Sequence, residues 1–168
     1  MIISTMQLSA QKNESRMIIL PASSNYSSSI LKYNTKTADI HFYNVENNQW
    51  IINARIKSPK LTIKGSEFRI ESTQGDSLAF PSLFIYAIDT GEYEFFYLKD
   101  EVWLKNPYLP NGNVNINSKD LRINFTKGTA ESVAYVSGFS TDGKEVSVLK
   151  ISNDTWTNID YYPRNLKN

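Results

Sequence analysis

The chain has 168 residues, a formal net charge of +1 and no cysteine. The length fits one domain with a conventional hydrophobic core. A net charge near zero argues against generic binding to nucleic acid or anionic lipid, and the lack of cysteine excludes disulfide frameworks and thiolate metal sites. With 40% hydrophobic and 21% charged residues, the sequence is also too apolar for an intrinsically disordered protein.

Residues 1–28 are predicted to form an N-terminal arm and polar linker, ahead of a single domain that spans residues 29–168. The first residues carry no basic leader and the chain has no long apolar stretch, so we expect neither a signal peptide nor a transmembrane segment. In the arm, Met17-Ile18-Ile19-Leu20 indicates a short strand that ends at Pro21. We expect this strand to join the sheet of its own domain; the alternative is the sheet of a neighbouring subunit.

Short runs rich in β-branched and aromatic residues alternate with Asn, Asp, Gly, Ser and Pro clusters along the chain, which predicts an all-β fold. Apolar residues recur with the period of two of a half-buried strand in residues 50–57, 61–63, 68–70, 121–125 and 133–137. None of these segments keeps a helical period. We therefore predict an antiparallel β-sandwich or jelly-roll-like domain, with a barrel as the alternative closure of the same strands.

Two dipeptides that tolerate positive φ, Asn111-Gly112 and Asp142-Gly143, predict tight hairpins. The second hairpin joins residues 132–139 to residues 145–151. Asn153-Asp154 then leads into residues 155–161. These segments predict a three-stranded meander at the C-terminal end of the chain.

Residues 40–50, 83–93 and 147–156 share a pattern of apolar strand, polar turn and aromatic residue. Such hairpins are common in the blades of β-propellers, which close with at least four four-stranded sheets. Because the three segments are unevenly spaced and the chain is short for such a ring, we interpret the pattern as shared turn chemistry.

The sequence offers little catalytic chemistry, and we expect a protein that is not an enzyme and that binds no cofactor or metal. His41 is the only histidine, too few for a multi-histidine zinc site, and no phosphate-binding glycine motif is present. Carboxylates are dense between Asp89 and Glu101, but solvated turns explain them better than a hydrolase site does. The basic residues between Arg55 and Arg69 fit the polar face of amphipathic strands, so we expect no specific nucleic-acid partner.

The segments 83–88 and 93–98 carry apolar or aromatic side chains on both faces. An antiparallel sheet normally leaves one face polar, so the second face is predicted to be covered either by another part of the chain or by a partner. For the partner alternative, the predicted interface residues are Phe84, Tyr86, Phe95, Tyr97 and Trp103, with Ile18 and Ile19 in the arm.

The functional hypothesis is a structural subunit of a larger protein assembly, most simply a phage or virus particle made in the host cytoplasm. Its partners would be other protein subunits, including further copies of this chain. We expect no membrane partner. The alternative is a carbohydrate-binding module in which Trp50, Trp103, Trp156 and exposed tyrosines stack on sugar rings.

Overall fold

Every regular element of the described chain is a β-strand. The computed structural model describes residues 14–20, 27–73, 81–128 and 133–159. In these ranges thirteen strands form three antiparallel sheets. The predicted all-β fold class is therefore confirmed.

Each sheet is a meander in which neighbours in sequence are neighbours in space. The first sheet consists of β1 (Ser15–Leu20), β2 (Ser29–Asn34), β3 (Ile40–Glu46) and β4 (Gln49–Ile52). The middle sheet consists of β5 (Phe68–Thr73), β6 (Ser82–Ala87), β7 (Glu92–Lys99) and β8 (Val102–Lys105), and the short β9 (Gly112–Asn113) pairs with β7. The third sheet consists of β10 (Leu121–Thr126), β11 (Tyr135–Ser140), β12 (Val146–Ser152) and β13 (Thr155–Ile159). No crossover of the jelly-roll type occurs within these described sheets.

The three sheets stack in chain order, with one hydrophobic core on each side of the middle sheet. The first core joins the first and middle sheets and includes Leu31, Phe42, Ile70, Ile85, Phe96 and Trp103. The second core joins the middle and third sheets and includes Phe84, Tyr93, Phe95, Ile123 and Val136. The apolar side chains on both faces of β6 and β7 are thus covered from within the chain.

The three sheets repeat with a period of 53 residues. The strands β1, β5 and β10 begin at residues 15, 68 and 121, and the strands β2, β6 and β11 begin at residues 29, 82 and 135. Trp50, Trp103 and Trp156 occupy one position of the repeat on the last strand of each sheet. The hairpin that precedes each tryptophan has positive φ at both turn residues, namely at Asn47-Asn48, Asp100-Glu101 and Asn153-Asp154, as type I′ turns require.

Backbone hydrogen bonds repeat with the same period. The amide of Phe68, the first residue of β5, donates to the Thr35 carbonyl at 2.6 Å, and the amide of Leu121, the first residue of β10, donates to the Ile88 carbonyl at 2.9 Å. Thr35 and Ile88 both follow the second strand of the preceding sheet. The middle and third sheets are therefore each tied to the preceding sheet by an equivalent bond at the start of their first strand.

The interpretation of the three similar segments as shared turn chemistry is corrected by this period. Residues 40–50 and 147–156 span the third and fourth strands of their sheets, whereas residues 83–93 span the second strand and the start of the third. The middle segment therefore lies one strand earlier in its sheet than the other two segments, and this offset explains the uneven spacing.

Two local predictions are also corrected. Asn111-Gly112 does not form a hairpin turn, because Gly112 lies in β9 and pairs with Tyr93. The ring of Tyr93 occupies the space that a Cβ at residue 112 would need, so close packing explains this glycine. The strand predicted through residues 50–57 ends at Ile52, and residues 53–67, including the predicted strand at residues 61–63, cross to the middle sheet as an irregular linker.

The C-terminal meander is confirmed in its order and pairing, with Gly143 at φ +72° in the turn between β11 and β12. The end of its last predicted strand, residues 160 and 161, lies outside the described residues. The predicted arm strand is β1, which pairs with β2 of its own chain, and residues 1–13 and 21–26 of the arm lie outside the described ranges.

Candidate functional site

The predicted interface residues fall into two groups. Phe84, Tyr86, Phe95 and Trp103 are buried in the two cores, so a partner would reach them only by displacing a neighbouring sheet. Ile18 and Tyr97 are half-buried, and Ile19 is 72% exposed. The interface prediction therefore stays a prediction at Ile18, Ile19 and Tyr97.

Among the described residues, exposed large apolar side chains are concentrated on the outer face of the first sheet, which is the face turned away from the middle sheet. The register of β1 to β4 places its apolar side chains together, and they are Met17, Ile19, Ile30, Tyr43, Val45, Trp50 and Ile52. All except Ile30 and Tyr43 are exposed. Lys32 and His41 also lie on this face. A contiguous apolar patch of this kind is typical of a protein interface.

The outer face of the third sheet, turned away from the middle sheet, is the other open end of the stack. Its apolar side chains are Tyr135, Phe139, Val146, Val148 and Ile159, and the polar residues Asn124, Ser137 and Lys150 lie between them. Val146 is 51% exposed. This face is apolar in part and more polar than the outer face of the first sheet.

A cavity of about 560 Å³ opens between the middle and third sheets. Aromatic side chains dominate its lining, among them Phe95, Tyr97, Tyr108 and Phe125. Glu71 also lines the cavity, and desolvation raises the pKa of its carboxyl. Such a lining could hold an apolar ring with one hydrogen-bonding group.

Three of the carboxylates between Asp89 and Glu101 accept hydrogen bonds from the linker that precedes β5. Asp89 accepts a hydrogen bond from the Ser66 amide at 2.8 Å, and Glu92 accepts one from the Lys64 amide at 2.7 Å. In the described ranges, no group of three or more His, Asp or Glu side chains is arranged to hold a metal ion.

Glu94 is a buried carboxylate with strong local partners. Its carboxylate accepts hydrogen bonds from Lys105 Nζ at 2.7 Å, from the Thr62 amide at 3.0 Å and from the Thr62 hydroxyl. Burial on its own would raise the pKa of Glu94, but the bonds from Lys105 and Thr62 outweigh burial and leave this pKa below its usual range. Glu94 thus fastens the linker before β5 to the middle sheet.

The three tryptophans have a structural role at two of their three positions. Trp103 lies in the first core, and Trp156 packs against the second core and donates from Nε1 to the Pro110 carbonyl at 2.7 Å. Only Trp50 is exposed among them. Of the tryptophans predicted to stack on sugars, Trp103 is therefore buried and Trp156 partly buried, and the carbohydrate-binding alternative stays a prediction.

Replacing Tyr93 with phenylalanine is expected to leave the free energy of unfolding unchanged or to raise it by up to about 1 kcal/mol. The Tyr93 hydroxyl is buried and has no hydrogen-bond partner among the described residues, and burial raises its pKa. Removing the hydroxyl relieves the desolvation cost and keeps the ring. Urea unfolding of both proteins measures the difference, and a loss above about 1 kcal/mol would show that the hydroxyl is stabilising.

Comparison with known proteins does not assign the chain to a family. No protein-family model matches the chain, and no curated protein is similar to it. In the described part of the chain, no helix has the length and apolarity needed to cross a bilayer. The open sheet faces and the cavity are therefore interpreted from their own chemistry.

Proposed function

We propose that this chain is a non-enzymatic structural subunit of a larger protein assembly and makes its contacts through the open ends of the sheet stack. The observation that carries the proposal is the outer face of the first sheet. Trp50 is 47% exposed there, whereas Trp103, at the same position of the repeat in the middle sheet, is 8% exposed. The first sheet thus carries core-type side chains on a face that its own described residues leave open.

Burial of this face would be favourable in free energy. Apolar surface gains about 25 cal/mol for each Å² removed from water, and aromatic side chains such as Trp50 and Tyr43 are enriched at the centres of protein interfaces. A protein partner fits this face better than a sugar does, because carbohydrate recognition also needs several hydrogen-bonding side chains, and Lys32 and His41 are the polar side chains in its centre.

The proposal is tested by placing a photo-crosslinking amino acid at residue 45 in the cell that makes the protein. A matched control carries the same group at residue 102. The two positions have similar exposure, since Val45 is 40% exposed and Val102 is 55% exposed on β8, at the edge of the middle sheet. We expect residue 45 to cross-link to a protein chain in a product of fixed stoichiometry, and residue 102 to give none. Absence of any cross-link from residue 45 would contradict the proposal.

Among assemblies, we propose a phage or virus particle. A cysteine-free chain whose described regular elements are all strands suits a particle subunit made in the reducing cytoplasm of a host. Mass spectrometry of purified particles from the source should find the chain at a constant copy number, and its absence from the particles would exclude this class.

The cavity favours a second candidate, a module that binds a carbohydrate or another small ring. Tyr97, Tyr108 and Phe125 offer rings for stacking, and Glu71 offers a hydrogen-bonding group. A glycan array tests this candidate. Binding that is lost in Tyr108→Ala would support it, and an array without any signal would reject a carbohydrate ligand.

A further inference from the structure

The two open faces of the stack are the outer faces of the first and third sheets. At each of them the stacking of one sheet on the next stops. The middle sheet presents one face to the first sheet and the other face to the third sheet, and the first and third sheets carry the equivalent positions on their corresponding faces. The outer face of the first sheet is equivalent to the face of the middle sheet that packs in the first core, as Met17 to Ile70, Tyr43 to Phe96 and Trp50 to Trp103 show. The outer face of the first sheet therefore has the side chains needed to pack against another sheet.

The outer face of the third sheet is equivalent to the face of the middle sheet that packs in the second core. Val146 is equivalent to Tyr93, and Val148 is equivalent to Phe95. The Thr141 carbonyl is equivalent to the carbonyls of Thr35 and Ile88, which accept the amide that opens the first strand of the next sheet. The outer face of the third sheet therefore has the positions at which the next sheet of the repeat would pack.

We infer that two copies of this chain pack head to tail, with the outer face of the third sheet of each copy against the outer face of the first sheet of the other. This inference rests on the proposed function and names the partner as a second copy. It continues an interface that the chain already makes twice within itself. Six sheets, each built on a four-stranded meander, then form a closed ring, and β-propellers are rings of four to eight such sheets.

Most side chains of the two faces are apolar or neutral polar groups, and Arg122 and Lys150 add positive charge to the outer face of the third sheet. In the third sheet, Asn124 and Ser137 occupy the positions that Ile18 and Leu31 occupy in the first sheet. These polar groups provide hydrogen-bonding partners for Lys32 and His41 of the other copy, while Phe139, Val146 and Val148 supply apolar contacts. Two equivalent contacts close a two-fold ring, which leaves no open end for a fibre.

Three valines of similar exposure make a matched test. Val45 lies on the outer face of the first sheet, Val146 lies on that of the third, and Val102 lies on an outermost strand away from both faces; they are 40%, 51% and 55% exposed. Because all three are exposed in one chain, replacement by lysine should leave the fold intact, which circular dichroism and thermal unfolding verify. Met17→Lys replaces Val45→Lys if the latter does not fold.

Light scattering during size-exclusion chromatography measures the outcome. We expect the unmodified chain and Val102→Lys to have twice the 19.2 kDa mass of one chain. Val45→Lys and Val146→Lys should each dimerise about 30-fold more weakly or worse, because each buries an ammonium group in both contacts. An equimolar mixture of these two variants should dimerise more tightly than either alone, because one contact of the mixed ring is then unmodified.

A monomer, or any oligomer other than a dimer, would overturn the inference. A dimer that Val45→Lys weakens and Val146→Lys leaves unchanged would also overturn it, because the first sheets would then pack against each other. A monomeric chain that still cross-links from residue 45 to a different protein would overturn the ring and leave the proposed function standing. The absence of cross-links to any chain, including this one, would remove the proposed function itself.

Discussion

Truncation of Phe95 to alanine is expected to lower the free energy of unfolding by about 3–5 kcal/mol. Phe95 is buried in the second core, where its ring centroid lies 4.7 Å from that of Phe125, 4.9 Å from that of Phe84 and 5.9 Å from that of Trp156. The substitution removes contacts to both the middle and the third sheet. A domain of this size is stable by about 5–15 kcal/mol, so this one change would remove a large part of the total.

Urea unfolding at neutral pH measures the effect, and Tyr108→Ala is the control. Tyr108 is exposed in the linker after β8, so its truncation should change the free energy of unfolding by no more than about 0.5 kcal/mol. Phe95→Leu should fall between the two. A loss below about 1 kcal/mol for Phe95→Ala would show that the second core does not hold the third sheet as described.

The Lys105→Met variant is expected to lose about 2 kcal/mol of stability at pH 7. Lys105 Nζ lies 2.7 Å from the buried Glu94 carboxylate, and its removal leaves that negative charge with Thr62 as its partner. The expected loss is below that of a fully buried pair, because Lys105 itself is half exposed. Lys99→Met is the matched control, since Lys99 is an exposed lysine of the same sheet.

The effect of Lys105→Met should depend on pH. In the unmodified protein the pKa of Glu94 lies below its ordinary value of 4.5 because of Lys105 and Thr62. The ionised Glu94 therefore stabilises the fold above about pH 4.5, and this contribution disappears as the pH falls through the lowered pKa. Without Lys105, burial dominates and the pKa rises. The difference in stability between the two proteins should thus be largest near neutral pH and shrink below about pH 4, and a difference independent of pH would contradict this account.

Much of the fold follows from local signals that the sequence carries openly. The alternation in residues 121–125 and the turn at Asp142-Gly143 each depend on neighbours within a few residues, and both are strand and hairpin features in the structure. The strand predicted over residues 50–57 was wrong beyond Ile52, because alternation continues past the point where β4 ends. Ala54 is exposed and Ile56 packs in the first core, but they do so from a linker.

The repeat was hard to detect because few of its positions keep the same residue. Arg16, Arg69 and Arg122 match one another, as do the three tryptophans, whereas the residues at the type I′ turns change from Asn-Asn to Asp-Glu to Asn-Asp. At most positions the fold requires only that the side chain be apolar or that it be polar, and several residue types meet each requirement. A shared geometry is therefore much better conserved within the chain than the identities that an alignment needs.

The candidate interface could be predicted only in part. The apolar pair β6 and β7 correctly indicated two covered faces, but its cover comes from sheets that lie before and after it in the chain, and periodicity within one hairpin carries no information about them. The exposed apolar residues Trp50 and Val45 are core-type side chains by sequence. Their exposure follows from the place of their sheet at the end of the stack, which only the three-dimensional arrangement reveals.

The meander order also has a consequence for synthesis of the protein. Each sheet uses one continuous segment of chain, so the first sheet can form on the ribosome before the third has been translated. A nascent chain that has just completed the middle sheet exposes Phe84 and Phe95 until β10 to β13 emerge to cover them. Translational pausing at that point would prolong the exposure of this apolar face.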